Sequence, residues 1–472
     1  MSTQKTYEDI EKMLKKHGQS HLLGFWDELD TDQKSSLLAQ IQQLDLEKID
    51  EWVDKFVKNP DFIAINKDLI PAPSYEPYPA DSKNQRKYTE AVKTGTELIS
   101  RGKIAAFVVA GGQGTRLGFD GPKGDFPISP VKNKTLFQIF AETISTVSAR
   151  YQTTCPWYIM TSPLNYTETV DIFRSNDYYD LGKENVFIFQ QGTLPNFSRD
   201  GKILLADKDT IACSPDGHGG SIKALYKSGA VEDMKKRGVE FLSYWQVDNP
   251  LINIFDPLFI GLHVLDKAEM SSKALIKTGP KEKIGNFCLI DGKINIIEYS
   301  DLPDELAEKK NPDGSYVFRL GSIAIHIINR SFVEKLNAGD VSLPLHRAVK
   351  KITHIDEHGD TVESKGIKLE TFVFDAVPLA SNSIILQTVR SEEFAPTKNA
   401  TGVDSAESAR QMIIDRAANW LESADVTVPK KKNGSPDCLL EIAPSFALEK
   451  EDIKAKLNRI PPIKPKDKLY LE

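Results

Sequence analysis

Apolar residues recur at helical spacing through the first part of the chain, and the period then changes. Leu37, Ile41 and Leu44 fall on one face, as do Leu46, Ile49, Trp52, Val53 and Phe56, which predicts amphipathic helices up to about residue 70. Thr31, just ahead of Asp32, is the expected cap of the second helix. Pro71, Pro73, Pro77 and Pro79 follow. They exclude both helix and central strand, so this stretch reads as an extended connector. A helix is expected next, over Lys83 to Ser100. From Ile104 short apolar runs alternate with longer amphipathic stretches. Ile104 to Val109, Trp157 to Met160, Val186 to Phe189 and Phe241 to Val247 are the clearest runs. Such runs between helical segments predict the buried strands of a parallel sheet, whose ligands gather at the strands' carboxyl ends. A final helix is predicted over Ala406 to Leu421, with Ile413, Trp420 and Leu421 on its apolar side. Strand-like pieces follow beyond Pro429. The expected layout is α/β. A helical region with its connector spans 1–95, a doubly wound Rossmann-like domain spans 96–398, and a small α+β domain spans 399–472.

Composition narrows the class. A chain of 472 residues with 40% hydrophobic and 27% charged positions is expected to form two or three globular domains. Its formal net charge of −7 argues against a nucleic-acid partner. No apolar run approaches the ~18 residues that span a bilayer, and no apolar signal core follows the first residues. Cys155, Cys213, Cys288 and Cys438 are far apart, which signals neither a disulfide framework nor a zinc site. A cytoplasmic address is the expectation. His346, His354 and His358 are close in sequence but lack metal-ligand spacing, and they are assigned no metal. The Lys430-Lys431-Lys432-Asn433-Gly434 turn reads as solvated.

The first strand runs into a glycine-rich loop, Val109-Ala110-Gly111-Gly112-Gln113-Gly114-Thr115-Arg116-Leu117-Gly118, then Pro122-Lys123-Gly124. Glycines let backbone N–H groups approach an anion, and Arg116 and Lys123 add full charges. Glycines alone would signal a tight turn; two flanking cations directly after a strand point to a polyphosphate. The loop is not a Walker A loop, because Arg116 stands where its second glycine belongs. Nor is it a dinucleotide fingerprint, because Leu117 stands at the third glycine position.

This loop resembles the signature of the eukaryotic-type UDP-sugar pyrophosphorylases, and most of all that of the UDP-N-acetylglucosamine enzymes. The resemblance covers about residues 95 to 400. It is supported in order by Gln190-Gln191-Gly192, Pro215-Asp216-Gly217, Val247-Asp248-Asn249, Glu298-Tyr299-Ser300, Phe372-Val373-Phe374-Asp375 and Phe394-Ala395-Pro396-Thr397-Lys398-Asn399. It implies a nucleotidyltransferase sheet and a reaction of UTP with a sugar 1-phosphate, assisted by Mg²⁺. Arg116, Lys123 and Lys398 would neutralise phosphate charge. Asp248 would hold the Mg²⁺; by sequence alone it is equally a turn residue before Asn249-Pro250. Val109, Ala110, Gly111, Gly112, Gln191, Pro215 and Gly217 would hold the nucleotide, with the Gln191 amide matching the uracil edge. Gly285, in a loop before a strand, and Glu298, at the end of the strand Ile294 to Ile297, would line the sugar. So would His218, Ser322 and Phe374, although by sequence alone Phe372 and Phe374 alternate like a strand and read as core.

Two of these positions depart from the acetylglucosamine pattern. His218 and Ser322 stand where those enzymes carry Asn, as does Ile325. Gly217-His218-Gly219 instead resembles an element of UDP-glucose and broad UDP-sugar enzymes. The expected product is UDP-N-acetylglucosamine, with glucose 1-phosphate or a wider set of hexose 1-phosphates as the alternative substrate. A non-catalytic UDP-sugar-binding regulator is the alternative of another class; the intact set Arg116, Lys123, Asp248 and Lys398 argues against it. Oligomeric state has no signature in the sequence.

Overall fold

A computed structural model describes residues 6–59, 69–79, 81–339 and 342–472. Two compact units emerge, neither continuous in sequence. The first draws on Met1–Asn66, Gly192–Gly220 and Leu343–Val373, and the second on Lys67–Gln191, Ser221–Ser342 and Phe374–Glu472.

In the first unit, helices Tyr7–Lys16, Thr31–Gln42 and Leu46–Trp52 place Ile10, Leu14, Leu37, Ile41, Leu46 and Ile49 in one core. The predicted apolar faces are therefore the packed ones. Phe197, Ile203, Ile211, Ile355, Ile367 and Leu369 complete that core from the two later segments. An antiparallel hairpin, Leu345–Ile355 with Thr361–Thr371, supplies the last three. The second helix is capped one residue earlier than expected. Asp30, not Thr31, accepts from the N–H groups of Asp32 and Gln33, and the Gln33 side chain accepts from the Asp30 N–H in return. A carboxylate is the stronger acceptor, so Thr31 becomes the first helical residue.

The second unit is built on one mixed sheet. Among the described residues it has ten strands: β1 (Ile70–Pro71), β2 (Ile104–Val109), β3 (Trp157–Thr161), β4 (Val186–Gln190), β5 (Phe241–Gln246), β6 (Met270–Ile276), β7 (Gly285–Ile290), β8 (Lys293–Ile297), β9 (Leu320–Asn329) and β10 (Ile385–Gln387). The main path runs β1-β7-β9-β5-β2-β3-β4. The four strands β5, β2, β3 and β4 are parallel, and they are the four apolar runs of the sequence. The antiparallel strands β7 and β9 extend this sheet. Phe107, Tyr158, Tyr244 and Trp245 are fully buried, as expected of strands covered on both faces. The proline-rich connector contributes the short strand β1, beside β7, where a residue without an N–H is tolerated, and Tyr75, whose N–H and carbonyl bond the strand β10. The helix Ser82–Ser100 follows it. The last segment forms the helix Ala406–Ser423, capped by Ser405, against a parallel pair, Leu439–Ile442 with Lys468–Leu471. Trp420, Leu421, Leu440 and Phe446 form its own small core.

Two local expectations are corrected. Gly285 is the first residue of β7, not a loop residue. Phe372 and Phe374 do not alternate along a strand: the hairpin ends at Thr371 and a 3₁₀ turn covers Val373–Leu379. Among the described residues no helix is long and apolar enough to cross a membrane.

Candidate active site

The glycine-rich loop leaves β2 between two parallel neighbours. The Ala110 N–H extends the ladder to the Met160 carbonyl at 2.7 Å. Beyond it the loop is held by the side chain of Asn165. Its amide donates to the carbonyl of Ala110 at 2.9 Å and to that of Gly112 at 3.3 Å, while its Oδ1 accepts from the Ser162 N–H. The Lys123 N–H returns to the Gly112 carbonyl at 3.0 Å, which brings Lys123 back over the loop. Asn165 was not among the residues expected from the sequence. Its position past the carboxyl end of β3 was the available signal.

Gln191, just past β4, is buried with its N–H on the Thr161 carbonyl. Its side chain lies directly against Gly111: a Cβ added there would come within 2.6 Å of the Gln191 Oε1. Glycine at 111 is therefore the condition for the amide to occupy that place. The structure thus brings together Val109, Ala110, Gly111, Gly112 and Gln191.

Four charged residues converge at the same end of the sheet. Arg116 is exposed in the turn Thr115–Leu117, and Lys123 and Lys398 are half-buried. Burial pushes the Lys123 ammonium below its usual value; Asp248 opposes this, and Arg116 and Lys398 add to it. Asp248 follows β5 and is 8% exposed. Its backbone carbonyl accepts from the Thr397 N–H at 2.8 Å, so β5 and the Lys398 segment are directly joined. Among the described residues none donates a hydrogen bond to the Asp248 carboxylate. A buried carboxylate left without donors beside two ammonium groups suits a hard divalent cation that takes its other ligands from phosphate and water. Among the described residues no cluster of three or more metal-ligating side chains forms, so phosphate and water would complete the shell of an ion held by Asp248. Asp404, also missed in the sequence, accepts through its carbonyl from the N–H groups of Lys398, at 2.6 Å, and Asn399. Burial raises its carboxyl above the usual range, Lys398 opposing and Asp248 adding.

Three expected sugar residues meet on the antiparallel strands. Gly285 pairs directly with Ser322 of β9, and Glu298 follows β8, which pairs with β7. A Cβ on Gly285 would lie 3.7 Å from the Glu298 Oε1. Phe374 is buried in the 3₁₀ turn.

Pro215, Gly217 and His218 belong to the first unit. Gly217 has φ +84°, and a Cβ there would meet the Thr371 carbonyl at 2.3 Å, so only glycine fits. Thr371 straps this loop. Its N–H and hydroxyl both donate to the Asp216 carbonyl, at 2.8 and 2.9 Å, and its own carbonyl accepts from the Gly219 N–H. The His218 Nδ1 accepts from the Val373 N–H at 3.1 Å, and its ring stacks on Phe372 at 5.2 Å. Phe372 also stacks on His346 at 4.2 Å. His346 thus packs against an aromatic ring.

Residues 56–472 match the family described as UTP–glucose-1-phosphate uridylyltransferase. The UDP-N-acetylhexosamine pyrophosphorylase-like protein 1 of Homo sapiens is 35% identical over 96% of this chain and 95% of its own. The UDP-N-acetylglucosamine pyrophosphorylase of Saccharomyces cerevisiae is 34% identical over 89% of this chain and 92% of its own. In fold, the chain superposes on the crystal structure of the uridine diphosphate N-acetylglucosamine pyrophosphorylase of Trypanosoma brucei with a TM-score of 0.81, at 24% identity, covering 100% of this chain and 98% of the other. A family match over most of the length, on a sheet whose strand ends gather the expected loop, amide and charges, assigns the chain to the UTP–glucose-1-phosphate uridylyltransferase family.

Proposed function

We propose that the chain is a uridylyltransferase that joins UTP to N-acetylglucosamine 1-phosphate, forming UDP-N-acetylglucosamine and pyrophosphate. The observation that carries the reading is the convergence of Arg116, Lys123, Lys398 and Asp248 at one end of the parallel strands. The reaction brings two anions together. Two unit charges ~4 Å apart repel by about 4 kcal/mol at an effective dielectric near 20, so positioning and charge neutralisation are the main tasks of the protein. Lys123, already destabilised as a cation by burial, gains most from a bound polyphosphate. Arg116 reaches the same charge from the loop's outer side, and Lys398 holds the sugar phosphate. Mg²⁺ on Asp248 would supply further neutralisation of phosphate charge. Gln191, over Gly111, presents one donor and one acceptor to uracil. The sugar is read by Glu298 over Gly285 and Ser322, with Phe374 as an apolar wall. The four free thiols fit a cytoplasmic enzyme. The substrates are small molecules, without nucleic acid or membrane.

The test is pyrophosphate release from UTP against a panel of sugar 1-phosphates, with Mg²⁺ and with chelator. Metal-dependent turnover with N-acetylglucosamine 1-phosphate is expected. Turnover with none of the sugars, despite UDP-sugar binding, would replace the enzyme by a sensor.

A further inference from the structure

Asp248 and Lys398 come from segments far apart in the chain, and their relative placement must be set by something besides the sheet. The Thr397 N–H on the Asp248 carbonyl is one link. Another, beside the Arg416 guanidinium that donates to the Leu251 and Glu392 carbonyls, is the side chain of Asn249, which is 4% exposed. Its Nδ2 donates to the Glu393 carbonyl at 2.8 Å, and its Oδ1 accepts from the Ala395 N–H at 3.0 Å and the Leu251 N–H at 3.3 Å. One amide thus bridges the chain just past β5 and the chain just before Lys398, using both its donor and its acceptor.

The far side of this bridge is firm. The Glu393 carboxylate is fully engaged: Lys273 Nζ donates to both oxygens at 2.6 Å, Thr388 Oγ1 donates at 2.7 Å and the Asn253 N–H at 3.3 Å. Lys273 is tied in turn to Asp256 at 2.7 Å. Phe394, Ala395 and Thr397 are buried. The peptide that Asn249 grips is therefore anchored from beneath, and the next group along the chain with room to act is Lys398.

We propose that Asn249 is a positioning residue for the transfer: its amide holds the segment Phe394 to Lys398 on the end of β5, so that the Lys398 ammonium faces the same phosphates as the group bound by Asp248. It rests on the roles given to Asp248 and Lys398 above. An amide is the required group, because no other side chain of that length offers a donor and an acceptor side by side. The Asn249 amide is taken up by the backbone groups of Glu393, Ala395 and Leu251.

The experiment is a double-mutant cycle on the full chain. Asn249→Ala, Lys398→Ala and their combination are compared in kcat and KM for N-acetylglucosamine 1-phosphate and in calorimetric UTP affinity. Asn249→Ser, too short to bridge, stands in if the alanine variant does not fold. Asn249→Ala is expected to lose about tenfold in kcat/KM, chiefly through a higher KM for the sugar phosphate, with UTP affinity within about twofold. The combined variant is expected within about twofold of Lys398→Ala, because nothing remains to position. A combined loss equal to the product of the single losses would overturn the proposal, as would a parallel fall in UTP affinity or wild-type kinetics in Asn249→Ala. A Lys398→Ala variant with unchanged sugar-phosphate KM would overturn it differently, by removing the role of Lys398 itself.

Discussion

The contact between Gly111 and Gln191 offers a sharp test of how the base is chosen. In Gly111→Ala the new methyl would stand 2.6 Å from the Gln191 Oε1 and 3.2 Å from the Ser162 nitrogen. Ordinary contacts close at about 3.5 Å, so roughly 0.9 Å must be found. Ser162 is held through its N–H by Asn165, so the Gln191 amide is the part that moves. A shift of that size takes a 2.9 Å hydrogen bond beyond the ~3.2 Å at which such bonds normally end. The amide's donor and acceptor would both be lost to uracil, at about 0.5–1.5 kcal/mol each. The sum, about 1–3 kcal/mol, is roughly a 5- to 150-fold fall in kcat/KM for UTP. CTP presents a different edge and never had those bonds, so the UTP-to-CTP ratio should collapse by the same factor. Steady-state kinetics with both nucleotides measures it, and Gly112→Ala serves as control, since its methyl would meet only the Lys123 Cε at 3.9 Å. A Gly111→Ala enzyme that keeps its base preference within about twofold would refute the role of Gln191.

Three further outcomes are expected. Because burial depresses the Lys123 ammonium in the free protein, the folded chain binds that proton less tightly than the unfolded chain. Stability from this group therefore rises with pH between its depressed value and the ordinary 10.5. UTP should restore the proton, so calorimetry in buffers of different ionisation enthalpy should show proton uptake on binding that grows as the pH is raised towards 10.5; no uptake at any such pH would count against phosphate contact. Lys273→Met leaves the Glu393 and Asp256 carboxylates without their shared cation and should cost about 3–5 kcal/mol in denaturant unfolding; a loss below about 1 kcal/mol would show that solvent reaches the cluster. The pair His218→Asn with Ser322→Asn should raise the acetylated-to-plain sugar preference in kcat/KM by up to about tenfold per contact. Loss of the imidazole stack on Phe372 should lower stability by about 0.5–1.5 kcal/mol. An unchanged ratio would remove both positions from sugar choice.

The parallel core was legible because its strands are buried on both faces. Continuous apolar runs such as Ile104 to Val109 leave little freedom in where a strand begins and ends. The glycine loop was legible because its residue types answer to one ligand chemistry. What escaped is the work done by side chains on backbone. Asn165 and Asn249 each clamp two distant segments, and nothing in local sequence distinguishes a clamping amide from a turn residue. The cap at Asp30 was missed because Asp and Thr adjoin, and only the geometry of Gln33 decides between them. The alternation of Phe372 and Phe374 suggested a strand, but the ring stacking of Phe372 with His218 and His346 and the turn at Val373 answer to tertiary partners that no window of sequence contains.

The patchwork origin of the first compact unit has a consequence for how the chain is made. Ile41 and Ile49 are synthesised early, yet Ile355, Ile367 and Leu369, which complete their core, emerge about 300 residues later, a wait of roughly 15–60 s at about 5–20 residues per second on the ribosome. During that interval, of the later buried partners, only Phe197, Ile203, Leu205 and Ile211 can cover the apolar face of the N-terminal helices, and closing so long a loop is slow. Nascent chains stalled before the hairpin should therefore be sticky and protease-sensitive, and a nonsense mutation just upstream of it would leave the N-terminal helices with an incomplete core.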